Sequence, residues 1–176
     1  MKKKKKILVV GGTGFIGFYL AKYCIKKKFN VVSFSKNPPR KIRYLKKVKY
    51  LLGDLSKKKN LKILNQPFDY VVNLGGYVDH KNKIKTFNSH FKGCKNLSNF
   101  FLKKKIKSFV QLGSSGEYGN SKSPQKETSQ GNPTSFYTKA KFLATKHLLS
   151  LYKKNKFPVT ILRLYQAYGP KPVSYT

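Results

Sequence analysis

The stretch ILVVGGTGFIGFYLA, Ile7 to Ala21, changes its periodicity at its glycines. Ile7–Val10 is an unbroken apolar run, as in a strand covered on both faces. From Phe15 to Lys28 the spacing is helical, with Phe15, Phe18, Tyr19 and Tyr23 as apolar positions. Its last turn is lysine, which suits the negative end of a helix dipole. Between strand and helix stands Gly12-x-Gly14-x-x-Gly17, overlapped by Gly11-x-x-Gly14-x-x-Gly17. One glycine permits the tight turn, another lets backbone N–H groups approach a pyrophosphate, and a third lets helix and strand pack closely. Gly11, Gly12, Thr13, Gly14, Phe15, Ile16 and Gly17 are therefore the candidate dinucleotide loop. The Gly-Lys-Ser/Thr of a triphosphate-binding loop is missing.

The rest of the chain repeats the strand–helix alternation. NVVSFS (30–35), VKYLLGD (48–54), FDYVVNLGG (68–76), KSFVQLGSS (107–115) and FPVTILRL (157–164) read as strands. Helices are expected near 56–64, over 84–103 and over 135–154. The pattern predicts an α/β fold, a doubly wound Rossmann-type parallel sheet with helices on both faces. Ligands in such sheets bind beyond the carboxyl ends of the strands. Those ends supply further cofactor candidates: Ser35, Lys36, Asp54, Leu55, Leu74, Gly75 and Gly76. An acid normally ends the second strand and holds the ribose 2′-hydroxyl; here Ser35 and Lys36 stand there, with Arg40 nearby, so the cofactor is NAD or NADP. Asp54 is placed to accept from an adenine amino group or to cap the next turn.

Composition adds one anomaly. Lys+Arg number 39 against 5 Asp+Glu, a formal net charge of +34. Such a charge attracts acidic partners in general. The lysines, however, come in short runs along the whole chain, without the interleaved arginine and aromatics of a dedicated groove. No specific nucleic-acid partner is expected, and a basic nucleic-acid-binding protein stands as a rival reading. Cys24 and Cys94 are isolated, fall in apolar helical patterns and read as buried free thiols, consistent with a reducing, cytoplasmic setting. The glycines break any signal-peptide core near the start, and no segment has the roughly 20 apolar residues of a membrane span. His80, His90 and His147 are too dispersed for a metal site. Asp79 and His80 follow the fourth strand, where a loop-capping role outweighs ligand contact.

Tyr137 and Lys141 are four apart on the 135–154 helix and so share a face. A neighbouring ammonium favours a phenolate, and a tyrosine tuned in this way can move a proton near neutral pH. Ser114 and Ser115 end the fifth strand on the same sheet edge as the glycine loop and can orient a substrate oxygen. A polar loop of about twenty residues precedes the helix, a length more often functional than not.

Taken in order, GGTGFIG, GD (53–54), NLGG (73–76), GSSGEYG (113–119), YTKAK (137–141) and ILRLYQAYGP (161–170) resemble the extended short-chain dehydrogenase/reductases. More closely, the chain resembles their NAD-dependent epimerase/dehydratase group, which acts on nucleotide sugars. The resemblance implies Tyr137 as catalytic acid/base, with Lys141 holding the nicotinamide ribose and lowering the tyrosine pKa. It implies Ser115 as the substrate-orienting hydroxyl, with Ser114 second. Dehydratases of the group carry an Asp-Glu pair where Gly116 and Glu117 stand, so epimerisation or keto/alcohol redox is expected over 4,6-dehydration. Glu117 is a candidate for work on a sugar proton, against a structural role in the turn. The resemblance also implies a nucleotide-sugar substrate and a homodimer through the helices over 84–103 and 135–154. The expected organisation is an NAD(P)-binding domain over 1–170 and, over 171–176, the start of a substrate region that is largely missing. A catalytically incomplete NAD(P)-binding module is the second alternative.

Overall fold

The computed structural model describes residues 4–79 and 81–170. The expectations on His80 and on a substrate region over 171–176 lie outside them. Ten main elements follow one another: β1 (Lys6–Val10), α1 (Phe15–Lys26), β2 (Asn30–Ser35), β3 (Val48–Leu52), β4 (Tyr70–Asn73), α2 (Lys83–Phe87), α3 (Gly93–Phe101), β5 (Ser108–Ser114), α4 (Phe136–Asn155) and β6 (Val159–Leu164). The strands form one parallel sheet in the order β3-β2-β1-β4-β5-β6. This is the expected doubly wound Rossmann arrangement. The order reverses between β1 and β4, and that crevice is where the fold binds ligands.

Alternation along β1 explains why its sequence is apolar from Ile7 to Val10. Ile7 and Val9 join Ala21 and Cys24 of α1 in one core. Leu8 and Val10 point the other way, to Cys94, Leu97 and Phe101 of α3 and Ala144 and Leu148 of α4. Each face is thus covered by helix, and a polar residue on either side of β1 would be buried without a partner.

Three helical segments show detail that their spacing does not give. The buried face of α1 is Gly17, Ala21 and Cys24, whereas Tyr19 and Tyr23 are exposed. Small residues at i, i+4 and i+7 let the helix lie close on the sheet, and the large aromatics are left outside. The helix expected over 84–103 runs as α2, a π turn at Asn88–Lys92, and α3. The segment expected as a basic helix near 56–64 is a 3-10 turn, Lys58–Leu64, that buries Leu61 and Leu64. Both cysteines are buried free thiols. Among the described residues no helix is long and apolar enough to cross a membrane.

Candidate active site

The glycine loop is shaped by contacts that only glycine permits. Gly11 has φ +76°, and a Cβ there would press on Leu74 and Gly75 of the neighbouring turn. A Cβ on Gly12 would lie 2.5 Å from the Ser33 hydroxyl oxygen, and one on Gly17 would collide with the Gly11 carbonyl oxygen. The third glycine thus sets the close approach of helix to strand. The loop closes on itself through Gly14 N–H to the Gly11 carbonyl at 3.0 Å, and it continues the sheet through Gly11 N–H to the Phe34 carbonyl at 2.8 Å. Gly14 caps α1 without a side chain, and no acid stands in the first turn. The positive end of the helix is therefore left to an anion, as a pyrophosphate requires. Phe15 lies against Gly169, and Tyr19 donates to the Pro170 carbonyl at 2.7 Å, so the YGP segment closes over the start of α1.

The sheet register brings the other strand ends alongside. Val10 pairs with Phe34 and with Asn73, and Gly113 and Ser114 pair with Arg163 and Leu164. Thr13 N–H reaches the Ser35 hydroxyl at 3.4 Å. Next to it the exposed Lys36 ammonium is 3.4 Å from an Asp54 carboxylate oxygen. The other Asp54 oxygen accepts from the Ser56 N–H and hydroxyl. Partial burial acts to raise the Asp54 pKa, but the Ser56 hydrogen bonds and the Lys36 charge outweigh it and hold the carboxyl below its ordinary value. Asp54 thus closes a local turn on Ser56; it does not cap the Lys58–Leu64 turn, whose N-cap is Lys57 without a side-chain bond. Leu55 is turned inward: it packs on Gly75 and Gly93, and its carbonyl accepts from Asn96 at 2.9 Å. Leu74 N–H completes the ladder to the Val10 carbonyl, and Gly75 N–H takes the Asn73 side chain.

Ser135 caps α4 reciprocally with Thr138, which fixes where Tyr137 enters the helix. Lys141, one turn on, is almost wholly buried and donates to the Leu112 carbonyl at 2.7 Å. Its nitrogen lies 5.8 Å from the Tyr137 ring centre. Burial pulls the lysine pKa down to about 8, against the opposing pull of Cys94 and Glu117. The same burial pushes the Cys94 thiol up to about 12. The Leu112 carbonyl is itself held by Gln111, whose side-chain oxygen takes Asn73 at 2.8 Å and the Cys94 thiol at 3.3 Å. Lys141 therefore rests on a buried polar network running from β4 through β5 to α3.

The two serines differ. The Ser114 hydroxyl oxygen accepts from Gly116 N–H at 3.2 Å, which pins it while leaving its own proton to donate. The Ser115 hydroxyl has no hydrogen-bond partner among the described residues. Glu117 is fully buried: one oxygen accepts from Ser114 N–H at 2.8 Å, the other from Thr145 at 2.7 Å and Arg163 at 3.4 Å. Its geometry is that of a core anchor for the turn.

His90, one of the three dispersed histidines, is a neighbour of Tyr137. Their rings meet edge to face at 5.0 Å. The His90 Nε2 is 3.1 Å from the Tyr77 carbonyl, and a Cβ on Gly76 would collide with the imidazole. Nothing in the spacing of the histidines signals this, because it depends on α2, the π turn and α4 packing side by side.

Comparison with known proteins agrees with this picture. The model of the NAD-dependent epimerase/dehydratase family matches residues 7–175. A dTDP-D-glucose 4,6-dehydratase of Dictyostelium discoideum is 30% identical, covering 95% of this chain and 45% of that protein. The chain thus spans under half the length of that curated relative. Among solved structures, UDP-glucose 4-epimerase of Thermotoga maritima with UDP-glucose superposes with a TM-score of 0.87 at 21% identity, over 94% of this chain and 57% of that one. The dTDP-glucose 4,6-dehydratase of Bacillus anthracis in complex with NAD gives a TM-score of 0.82 at 22% identity, over 96% and 57%. The crevice, its glycine loop and the Tyr–Lys helix beside it stand in a chain that belongs to the NAD-dependent epimerase/dehydratase family.

Proposed function

We propose that this chain carries the nucleotide-binding and catalytic residues of an NAD(P)-dependent nucleotide-sugar epimerase or ketoreductase, with Tyr137 as acid/base. The observation that carries the proposal is the buried Lys141 ammonium, held on the Leu112 carbonyl beside Tyr137. The glycine loop fits a dinucleotide: a Cβ at Gly12 or Gly17 would fill the turn, and the α1 N-terminus has neither a capping side chain nor an acid. Gly11–Gly17 would hold the pyrophosphate, Ser35 and Lys36 the adenosine ribose, and Lys141 the nicotinamide ribose. When bound, the nicotinamide supplies a hydride acceptor and donor for sugar carbon 4.

The chain's own residues handle the proton. The Tyr137 oxygen takes it from the sugar hydroxyl and returns it when the carbonyl is reduced. Lys141 favours the phenolate by charge. A hydroxyl from Ser115 or Ser114 holds the sugar oxygen in line. Elimination of water needs an exposed acid near that oxygen. Gly116 has none, and the Glu117 carboxylate is committed to Arg163, Thr145 and the Ser114 N–H. This supports epimerisation or keto/alcohol redox over dehydration, although the curated relative is named a dehydratase.

The test is Tyr137→Phe in the full protein that carries this chain, assayed with UDP-glucose, UDP-glucuronate and dTDP-glucose. Turnover of whichever is used should fall on the order of 10²–10⁴-fold, while NADH affinity stays within about twofold. Retained turnover would overturn the assignment.

Assembly as a homodimer is part of the same proposal. Ile84 and Phe87 of α2 and Phe136, Leu149 and Tyr152 of α4 expose large apolar side chains. Leu149→Glu with Tyr152→Glu should convert a dimer to a monomer in light scattering, and a wild-type monomer would refute it.

A further inference from the structure

Resting on the proposed reading of the glycine loop, we infer that Lys36 and Ser35 form a subsite for the 2′-phosphate of the adenosine ribose, so that the protein prefers NADP(H) to NAD(H). Three observations carry it. First, the position is fixed. The parallel register Val10–Phe34 sets Ser35 and Lys36 level with Gly11 and Gly12, and Gly53 N–H to the Ser35 carbonyl at 2.9 Å sets Asp54 on the other side. The adenosine ribose of a dinucleotide whose pyrophosphate lies on this loop falls at the end of β2. Second, the residue types are wrong for a plain ribose. A carboxylate there would accept from the 2′-hydroxyl; here the strand ends in a hydroxyl followed by an ammonium. The Ser35 oxygen takes Thr13 N–H at 3.4 Å and keeps its own proton for a phosphate oxygen.

Third, the one acid at this edge is already committed. Asp54 is capped by Ser56 through one oxygen and faces Lys36 through the other. The Lys36–Asp54 pair is exposed on the lysine side, with 73% of that side chain open. An exposed pair of this kind is weak, so the ammonium can exchange the carboxylate for a phosphate that carries about two charges. Arg40, four residues on in the sequence, is also exposed. The structural neighbours with NAD bound are at most 23% identical and do not fix the choice for this chain.

The high net charge makes a control necessary, because any polyanion is attracted to a +34 chain. Binding of NADPH and NADH is measured by nicotinamide fluorescence at 150 mM salt, for wild type, Lys36→Ala and Lys36→Glu. Competition is measured with adenosine 2′,5′-bisphosphate and adenosine 3′,5′-bisphosphate, which differ in phosphate position rather than in charge. NADPH should bind about tenfold or more tightly than NADH. Lys36→Ala should erase most of that preference and Lys36→Glu reverse it, with NADPH affinity falling at least about fivefold further than NADH affinity in each. The 2′,5′ isomer should compete and the 3′,5′ isomer compete at least about fivefold less. Equal affinity for both cofactors, a preference that survives Lys36→Glu, or equal competition by the two isomers overturns the subsite while leaving the dinucleotide loop standing. Failure of both cofactors to bind overturns the loop reading along with it.

Discussion

Lys141→Met should make this protein more stable and less useful. The lysine is almost wholly buried, and its pKa in the fold is about 8 against an ordinary 10.5, with burial the main cause. That drop converts to about 3 kcal/mol against the charged form. The sign follows from proton binding. Between pH 8 and 10.5 the unfolded chain holds more protons on this lysine than the folded one, so stability rises with pH across that interval. The penalty is complete below about pH 8 and fades toward 10.5. The other lysines and the tyrosines titrate too, but they are common to wild type and variant and cancel in the difference. Methionine keeps much of the side chain's length and removes the charge, while Gln111 still satisfies the Leu112 carbonyl. The chain has no tryptophan, so urea unfolding is followed by far-ultraviolet circular dichroism at pH 7.0 and 9.5. The variant should be the more stable at pH 7, and the gap should shrink by about 2 kcal/mol at pH 9.5. A gap that stays constant with pH, or a variant less stable at both, would refute the view that a costly charge is kept buried beside Tyr137 for chemistry.

Other substitutions separate architecture from chemistry. Gly17→Ala forces a methyl onto the Gly11 carbonyl and the Gly12 backbone; it should cost about 1–3 kcal/mol in thermal unfolding and weaken dinucleotide binding together with it. Glu117→Ala leaves Arg163 half-buried without its carboxylate and should destabilise by about 3–5 kcal/mol, whereas Glu117→Gln keeps most hydrogen bonds and should retain most turnover in the full protein. Loss of turnover in Glu117→Gln with unchanged stability would instead make that carboxylate a proton carrier. His90→Ala should lower kcat more than it changes KM, because it removes the ring that packs on Tyr137, and His90→Phe should recover part of the loss.

What the sequence makes legible here is what depends on neighbours along the chain. The strand–glycine–helix succession at 7–21, the alternation that follows and the Tyr137–Lys141 spacing are local patterns, and the architecture follows from them. Contacts between distant segments were out of reach. Glu117 meets Arg163 across 46 residues, and that pairing turns a candidate acid into a core anchor. Lys141 finds the Leu112 carbonyl 29 residues away, which no spacing rule announces. The buried face of α1 is not legible from hydrophobicity, which favours its tyrosines, because the tight approach to the sheet selects Gly17, Ala21 and Cys24. His90, in the π turn, meets Tyr137 of α4 across 47 residues of sequence, a contact no local pattern gives.

The central claim is that a dinucleotide sits on the glycine loop rather than on the lysine-rich surface at large. The direct measurement is an amide nitrogen–proton spectrum of this chain titrated with NADH and NADPH at 150 mM salt. The account predicts saturable shifts at Thr13, Phe15, Ile16, Lys36 and Leu74–Gly76, with the lysine runs at 26–28, 57–59 and 103–105 unmoved. Shifts confined to those lysine runs, or none at the glycine loop, would contradict it.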